Sequence, residues 1–335
     1  MDSITHIAIG ACVGELLLGK KIGKQALLWG ALAQNLPDID VVSTAWLNPA
    51  ESLLAHRGIT HSILFALLLS PLLAAVMVRF VRGKPASWDD WMRFFLIQLL
   101  LHISLDSFNS YGTGWFEPFS HFRVSFNTIF VADPFFTILP LIAAIALWIR
   151  PANMMYRKRF TRFALVLALC YLLIGMWNKG IVDTDLQSAL KKEGIAYKRF
   201  FTTPSPLNNL LWLGVAETDS GYEMAYRSVF DTNDSIVFYH YNRNAYLLNR
   251  MKDRKDVNKL IRFAKGYYTV ENLGDTLVFN DLRFGQVMGW STPYSPFVFH
   301  YFLERGHNEM VMQRGRLSGW DRKAFSDLIK RMFSR

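Results

Sequence analysis

His102-Ile-Ser-Leu-Asp106 sets an imidazole and a carboxylate four residues apart in an otherwise apolar stretch. On a helix that spacing places both side chains on one face. An ionisable residue in an apolar segment is costly unless it meets a partner or a wet cavity, so one of each type suggests a shared cation. A His–Asp hydrogen bond tying helices together would explain the pair alone, but the pair is not alone. Pro37-Asp38-Ile39-Asp40 closes another apolar segment with two carboxylates in a short turn. His56-Arg57-Gly58-Ile59-Thr60-His61-Ser62 opens a third with two histidines five apart, and His6 sits near the start of the first. Imidazole with carboxylate suits zinc, manganese or iron, whereas calcium draws on oxygen ligands nearly throughout. With no thiolate in the set, a closed Cys-rich structural zinc site is disfavoured, and His/Asp sets commonly keep a coordination position open for water. The candidate ligands are His6, Asp38, His56, His61, His102 and Asp106, for a divalent ion such as zinc, manganese or iron. Asp38 and Asp40 are the candidate catalytic carboxylates, Asp40 as a base or as the group that orients a histidine. Spacing alone leaves open which of Asp38 and Asp40, and which of His56 and His61, bind directly.

Other polar residues carry less. His121, in Phe116-Glu-Pro-Phe-Ser-His121-Phe, is a possible further ligand or substrate contact. Asp133 precedes Pro134 and reads as a helix N-cap. Glu15 is expected to pair with a basic residue or a neighbouring helix. His240, His300 and His307 read as structural or surface groups. Asn109-Ser-Tyr-Gly-Thr-Gly114 follows the His102/Asp106 helix directly, and its glycines allow a sharp turn whose amides could approach a phosphate oxygen.

These groups need a scaffold. Of 335 residues, 51% are hydrophobic, and the mean hydropathy is +0.15. The apolar residues concentrate between positions 4 and 178, in six segments at about 4–19, 25–36, 62–81, 94–108, 128–149 and 163–178. A perpendicular span takes about 20 residues. The third and fifth segments meet that length, the fourth and sixth fall slightly short, and the first two are shorter and rich in Gly and Ala. The expectation is an α-helical multi-pass membrane bundle over 1–180, followed by a soluble α+β domain over 181–335.

The net charge of +10 does not indicate nucleic acid, because the basic residues up to position 180 fall in bursts between apolar segments. These are Lys20, Lys21 and Lys24; Arg79, Arg82, Lys84 and Arg93; and Arg150, Arg157, Lys158, Arg159 and Arg162. If every segment crosses, these twelve lie on one side and only Arg57, Arg123 and Lys179 on the other. By the positive-inside rule the twelve are cytoplasmic, which puts the His/Asp groups and the second domain on the outer side of the membrane. Met1 to His6 lack the basic start of a secretory signal, so the first helix is expected to be retained. Cys12 and Cys170 both lie in apolar segments and imply no disulfide framework. Beyond about 180, β-rich runs at 210–216, 236–240 and 276–279 alternate with turn residues, and helices are expected at about 254–265 and 319–333.

The motifs Thr5-His6, Pro37-Asp38-Ile39-Asp40, His56-Arg57-Gly58-Ile59-Thr60-His61-Ser62, and His102-xxx-Asp106 with Tyr111-Gly112-Thr113 resemble a family of membrane-bound metal-dependent hydrolases. That family includes the LexA-regulated inner-membrane proteins of enteric bacteria, and the resemblance covers roughly residues 1–150. The order of ligands is also similar to the zinc-dependent phospholipase C and single-strand nuclease superfamily. That resemblance implies one metal held by Asp38 or Asp40, His61 or His56, His102 and Asp106, and a second sharing Asp106 and taking His6. Those enzymes also use a freed N-terminal amine and a further His-xxx-Glu pair. No histidine lies here between 121 and 240, so a third metal is not expected. What the resemblance implies is hydrolysis of phosphoesters, with a lipid-linked or amphiphilic substrate and membrane lipids as surroundings. A metal transporter or sensor would instead step its ligands through the membrane depth, and a purely structural protein would tolerate loss of the cluster.

Overall fold

The computed structural model describes residues 1–81, 86–151, 156–233, 235–251, 254–303, 311–313 and 321–334. Arg82, Lys84 and His307 lie outside the described residues. The chain divides into two compact units: Met1–Val42 with Ala55–Ile174, and Ser43–Leu54 with Gly175–Arg335. This differs from a single cut at 180/181, because twelve residues between Asp40 and His56 belong with the second unit.

The first unit is helical. α1 (Ser3–Ile22) starts where Asp2 accepts a hydrogen bond from the Thr5 N–H, and it ends at Gly23, whose φ of 63° suits glycine. α2 (Gln25–Gln34) crosses α1 at close range through small residues. A Cβ on Gly14 would lie 2.1 Å from the Ala26 carbonyl oxygen, and one on Gly10 would lie 2.4 Å from that of Gly30. Only glycine allows this approach. After the short α3 (Pro49–Ala55), which belongs with the second unit except for Ala55, α4 (Ile63–Phe80) is capped by Ser62, and α5 (Trp88–Asp106) by a reciprocal Ser87/Asp90 box. Leu18, Ile22, Met77, Trp91, Phe94 and Phe95 form a shared core among these helices. α6 (Pro134–Ile149) begins only at Pro134, because Asp133 caps the helix and accepts from the Phe135 and Phe136 N–H groups. The apolar segment expected from 128 therefore gives a helix of 16 residues. α7 (Arg157–Lys192) runs well past 178 and contributes residues to both units.

Among the described residues, three helices are long and apolar enough to cross a membrane: α1, α4 and α7. α6 is apolar but shorter. Leu68, Leu72, Ile138, Ile142, Ile145, Val166, Leu169 and Leu173 are more than half or about half exposed, at helical spacing, as in faces turned to lipid. A buried ion pair also locks this unit, the Arg157 guanidinium gripping both carboxylate oxygens of Glu15 at 2.7 and 2.9 Å.

The second unit holds two antiparallel four-stranded sheets. β1 (Arg199–Pro204), β2 (Leu211–Glu217), β3 (Gly221–Ser228) and β4 (Tyr239–Asn242) form one in sequential order. β5 (Tyr268–Leu273), β6 (Thr276–Gln286), β7 (Phe297–Leu303) and β8 (Val311–Gln313) form the other. α8 (Lys255–Phe263) and α9 (Arg322–Met332) match the helices expected there. Of the three expected β runs, 210–216 and 276–279 fall in β2 and β6, whereas only Tyr239 and His240 of 236–240 enter a strand. The segment 43–54 joins this unit through polar contacts on α8: Asn48 Nδ2 lies 3.2 Å from Asp256 Oδ1, and Lys259 Nζ lies 2.8 Å from Glu51 Oε1.

Candidate metal centre

Three elements of the first unit deliver four donors to a single point. The turn after α2 brings Asp38, the turn before α4 brings His61, and α5 brings His102 and Asp106 from its last turn. His61 Nε2 and His102 Nε2 are 3.1 Å apart. Asp38 Oδ1 lies 3.4 Å from His61 Nε2 and 3.6 Å from His102 Nε2. Asp106 Oδ2 lies 3.4 and 3.5 Å from the same two nitrogens. Donors held tetrahedrally about 2.0–2.2 Å from a zinc ion stand about 3.3–3.6 Å from one another. The five edges of this cage sit close to those values.

The hydrogen bonds behind the cage fix what its atoms are. His102 Nδ1 meets the Gln34 carbonyl, which can only accept, so the ring proton is there and Nε2 is a bare lone pair. His61 Nδ1 is 3.0 Å from Thr60 Oγ1, which in turn donates to Asp40 Oδ2 at 2.8 Å. That relay places the His61 proton on Nδ1 and leaves its Nε2 bare as well. Two imidazole lone pairs and two carboxylate oxygens thus converge without a proton between them, and Asp106 Oδ2 is buried with no hydrogen-bond partner among the described residues. Such a set repels itself unless a cation enters it. His61, His102 and Asp106 are fully buried, and Asp38 keeps 18% of its side chain exposed, so the cage opens at Asp38.

Residues 1–182, just over half of the chain, match the family described as YdjM inner membrane protein. The chain belongs to that family. It is 35% identical over 155 residues to the uncharacterized protein YfhP of Bacillus subtilis, covering 44% of this chain and 46% of the relative. It is also 36% identical over 124 residues to the inner membrane protein YbcI of Escherichia coli, covering 36% of this chain and 69% of that protein. The chain thus spans about half the length of the Bacillus relative. No solved structure matches it. The family and the apolar helices together place this chain in an inner membrane.

Within this inner-membrane fold, the other expected ligands take different places. Asp40 does not reach the cage. Its carboxylate lies 2.8 Å from His56 Nδ1 and accepts from the Arg57 N–H at 2.9 Å and from Thr60, with His61 Nδ1 at 3.3 Å. Burial raises this carboxyl, and the hydrogen bonds from His56 and His61 more than reverse that, keeping it ionised. Asp40 therefore orients the histidines and has little lone-pair capacity left for a base. His56 is tied to Asp40 and stands outside the cage, though one donor atom each of Asp38, Asp40 and His56 gather within 4.8 Å. Burial lowers the His56 pKa. His6 stacks on the His102 ring at 3.9 Å between centroids and directs Nε2 to Asp106 Oδ1 at 3.2 Å, so Asp106 faces the cage with one oxygen and His6 with the other.

The α-amine of Met1 also contacts Asp106 Oδ1. Residue type and spacing do not point to an amine at this place. Arg57 is a second omission. Its positive charge in a short loop reads as a topology signal, yet its side chain is 3% exposed and its Nε lies 3.1 Å from Asp106 Oδ2. The available signal was its place inside the His56–His61 motif.

The remaining candidates stand apart. His121 pairs with Glu117 at 2.8 Å and is largely exposed. Asp133 caps α6 and accepts from the Tyr171 hydroxyl. His240 pairs with Glu223, and His300 Nδ1 donates to the Phe297 carbonyl. The Asn109–Gly114 turn uses its amides internally: Tyr111 N–H to Asn109 Oδ1, Thr113 N–H to the Val124 carbonyl, Gly114 N–H to the Arg57 carbonyl. These three are not free for a phosphate. Gly112, at φ 84°, makes the turn possible.

Proposed function

We propose that this inner-membrane protein is a metal-dependent hydrolase, acting on phosphoester bonds of a lipid or amphiphilic substrate at the outer side of the membrane. The observation that carries the proposal is the cage of two proton-free imidazole nitrogens and two carboxylate oxygens with edges of 3.1–3.6 Å. Asp38, His61, His102 and Asp106 would hold the ion, and their imidazole and carboxylate donors fit zinc, with manganese or iron next. Bound there, a divalent ion lowers the pKa of a coordinated water from about 15.7 toward about 7 and polarises a substrate oxygen.

The chain's own groups account for the rest. Gln34 and the Thr60–Asp40 relay hold the two histidines in one tautomer and one orientation, a support that typically matters 10–100-fold. Asp38, the exposed member, marks the side from which substrate and water enter. His6 backs the far oxygen of Asp106, where a second ion would share that carboxylate. Donors gathered at one end of the helices favour a reaction centre over a transport path, whose ligands would be stepped through the membrane. The phosphoester and the outer orientation rest on the family resemblance and on the basic bursts, respectively.

The test is metal content by mass spectrometry on detergent-purified protein, wild type beside His102→Ala and Asp106→Ala, followed by hydrolysis of bis-p-nitrophenyl phosphate. The expected result is stoichiometric metal in the wild type, lost in both variants together with hydrolysis. Wild-type protein that stays metal-free after reloading sinks the proposal.

A further inference from the structure

Arg57 sits in a conformation that its residue type does not favour. Its φ is 60°, in the left-handed region, and its guanidinium is almost wholly buried in a unit otherwise dominated by apolar side chains. Both features are costly, and strain of this kind persists only where the surroundings over-determine it. The surroundings here are specific. The guanidinium carbon lies 4.7 Å over the Tyr111 ring, Nη1 donates to Asn109 Oδ1 at 2.9 Å, and Nε stands 3.1 Å from Asp106 Oδ2, the oxygen that belongs to the cage.

The donors outnumber the acceptors. Arg57 Nε is near Asp106 Oδ2 but off the line of a hydrogen bond, and it is buried with no hydrogen-bond acceptor among the described residues. Asn109 Oδ1 accepts from both Arg57 Nη1 and the Tyr111 N–H at 2.9 Å, which fixes the flip of the amide. Its Nδ2 is then a second buried donor with no acceptor among the described residues. Leaving such donors unmet costs about 1–3 kcal/mol each. An anion is the kind of group that such donors bind. Charge points the same way: among the side chains, Asp38, Asp40 and Asp106 bring three negative charges, a divalent ion offsets two, and Arg57 offsets the third. Without Arg57 the loaded centre would repel an anionic substrate.

We infer that Arg57 and the Asn109 amide form an anion subsite beside the cage, made for the singly charged phosphoryl group of a phosphodiester. This rests on the metal reading above and assigns the residues that would receive the charge of its phosphoester substrate. In it, the planar guanidinium fork takes a phosphoryl oxygen while the scissile phosphorus lies over the cage. Tyr111 and the strained backbone keep the fork from turning away. The Asn109–Gly114 turn thus serves the anion through a side chain and not through the three amides it spends internally.

The experiment uses full-length, zinc-loaded protein in detergent: wild type, Arg57→Gln, Arg57→Lys, and Arg57→Gly, whose backbone suits φ 60°. Metal content is measured first, then inorganic phosphate is titrated calorimetrically. Hydrolysis of bis-p-nitrophenyl phosphate is compared with that of uncharged p-nitrophenyl acetate. The expected result is full metal content in all four, with phosphate Kd raised about 10- to 100-fold in Arg57→Gln and Arg57→Gly and less in Arg57→Lys. Diester hydrolysis should fall by a larger factor than that of the neutral ester. Unchanged phosphate affinity at full metal content overturns the inference. Loss of metal in Arg57→Gln and Arg57→Gly overturns it too, making Arg57 a holder of Asp106. A metal-free wild type removes the metal reading itself, and the subsite with it.

Discussion

Asp38 and Asp40 stand two residues apart, and the structure assigns them unequal work that one pair of substitutions separates. Asp38→Asn replaces a cage donor with an amide whose charge is gone. Asp40→Asn leaves the cage intact but disturbs the acceptor for His56 Nδ1, the Arg57 N–H and Thr60 Oγ1, and through Thr60 the proton on His61 Nδ1. Loss of such a supporting group costs about 10–100-fold in metal affinity. A metal that binds only the native state stabilises it by RT ln(1 + [L]/Kd), about 4.1 kcal/mol at 1,000 Kd. The same free zinc then sits at about 10–100 Kd for Asp40→Asn, leaving about 1.4–2.7 kcal/mol. The zinc-induced rise in thermal midpoint should therefore shrink to about one to two thirds of the wild-type value in Asp40→Asn and vanish in Asp38→Asn. Tryptophan fluorescence melts of detergent-solubilised protein, with zinc and with chelator, read this directly. If Asp40→Asn abolishes the shift as completely as Asp38→Asn, Asp40 is itself a ligand and the division of labour is wrong.

Other predictions follow from single contacts. Glu15→Leu strands the buried Arg157 guanidinium and should destabilise the helical unit by about 3–5 kcal/mol, whereas the double variant with Arg157→Met should recover most of that loss in the same melts. Gly14→Val drives side-chain atoms into the Ala26 carbonyl, 2.1 Å from where a Cβ would start, and should separate α1 from α2. Because α2 carries the carbonyl that fixes His102, retained metal should drop as well, while Gly180→Ala, whose Cβ meets nothing within 4 Å, should be silent. In the second unit, burial raises the Glu217 carboxyl, but hydrogen bonds from Arg243 and Arg199 prevail and hold it below its ordinary value. A depressed folded-state pKa contributes stability above the unfolded value of about 4.5, and that contribution is lost as pH falls through the folded value. Urea midpoints of the sheet domain should thus decline below about pH 4.5 in wild type and less steeply in Glu217→Gln, as near-UV circular dichroism can show.

What could be read from the sequence divides along a physical line. The helices at the six apolar segments and the gathering of His6, Asp38, His61, His102 and Asp106 follow from residue type and local period, because an ionisable group in an apolar run must find a partner. Choice between near neighbours does not follow from type. Asp38 and Asp40, or His56 and His61, differ only in which backbone and hydroxyl groups meet them, and these come from Gln34 and Thr60 once the helices have packed. Arg57 shows the same limit more sharply. As a lone basic residue near a segment end it counts as topology, and its burial, its positive φ and its stacking on Tyr111 arise only after the turn beyond α5 closes over it. The segment 43–54 escapes sequence reasoning for a further reason: its attachments, Asn48 to Asp256 and Glu51 to Lys259, join residues 208 apart by ordinary surface-type polar contacts. It is flanked on one side by Asp40 and on the other by His56, the two groups that together tether the His61 turn. Residues of the second unit thus bridge the stretch of chain between two groups behind the cage. Replacing Lys259 with Met, which removes its bonds to Glu51 and Asp256, should therefore loosen segment 43–54 in hydrogen exchange while leaving metal content unchanged. Metal loss in that variant would mean that the second unit is part of what keeps Asp40 and His56 in register.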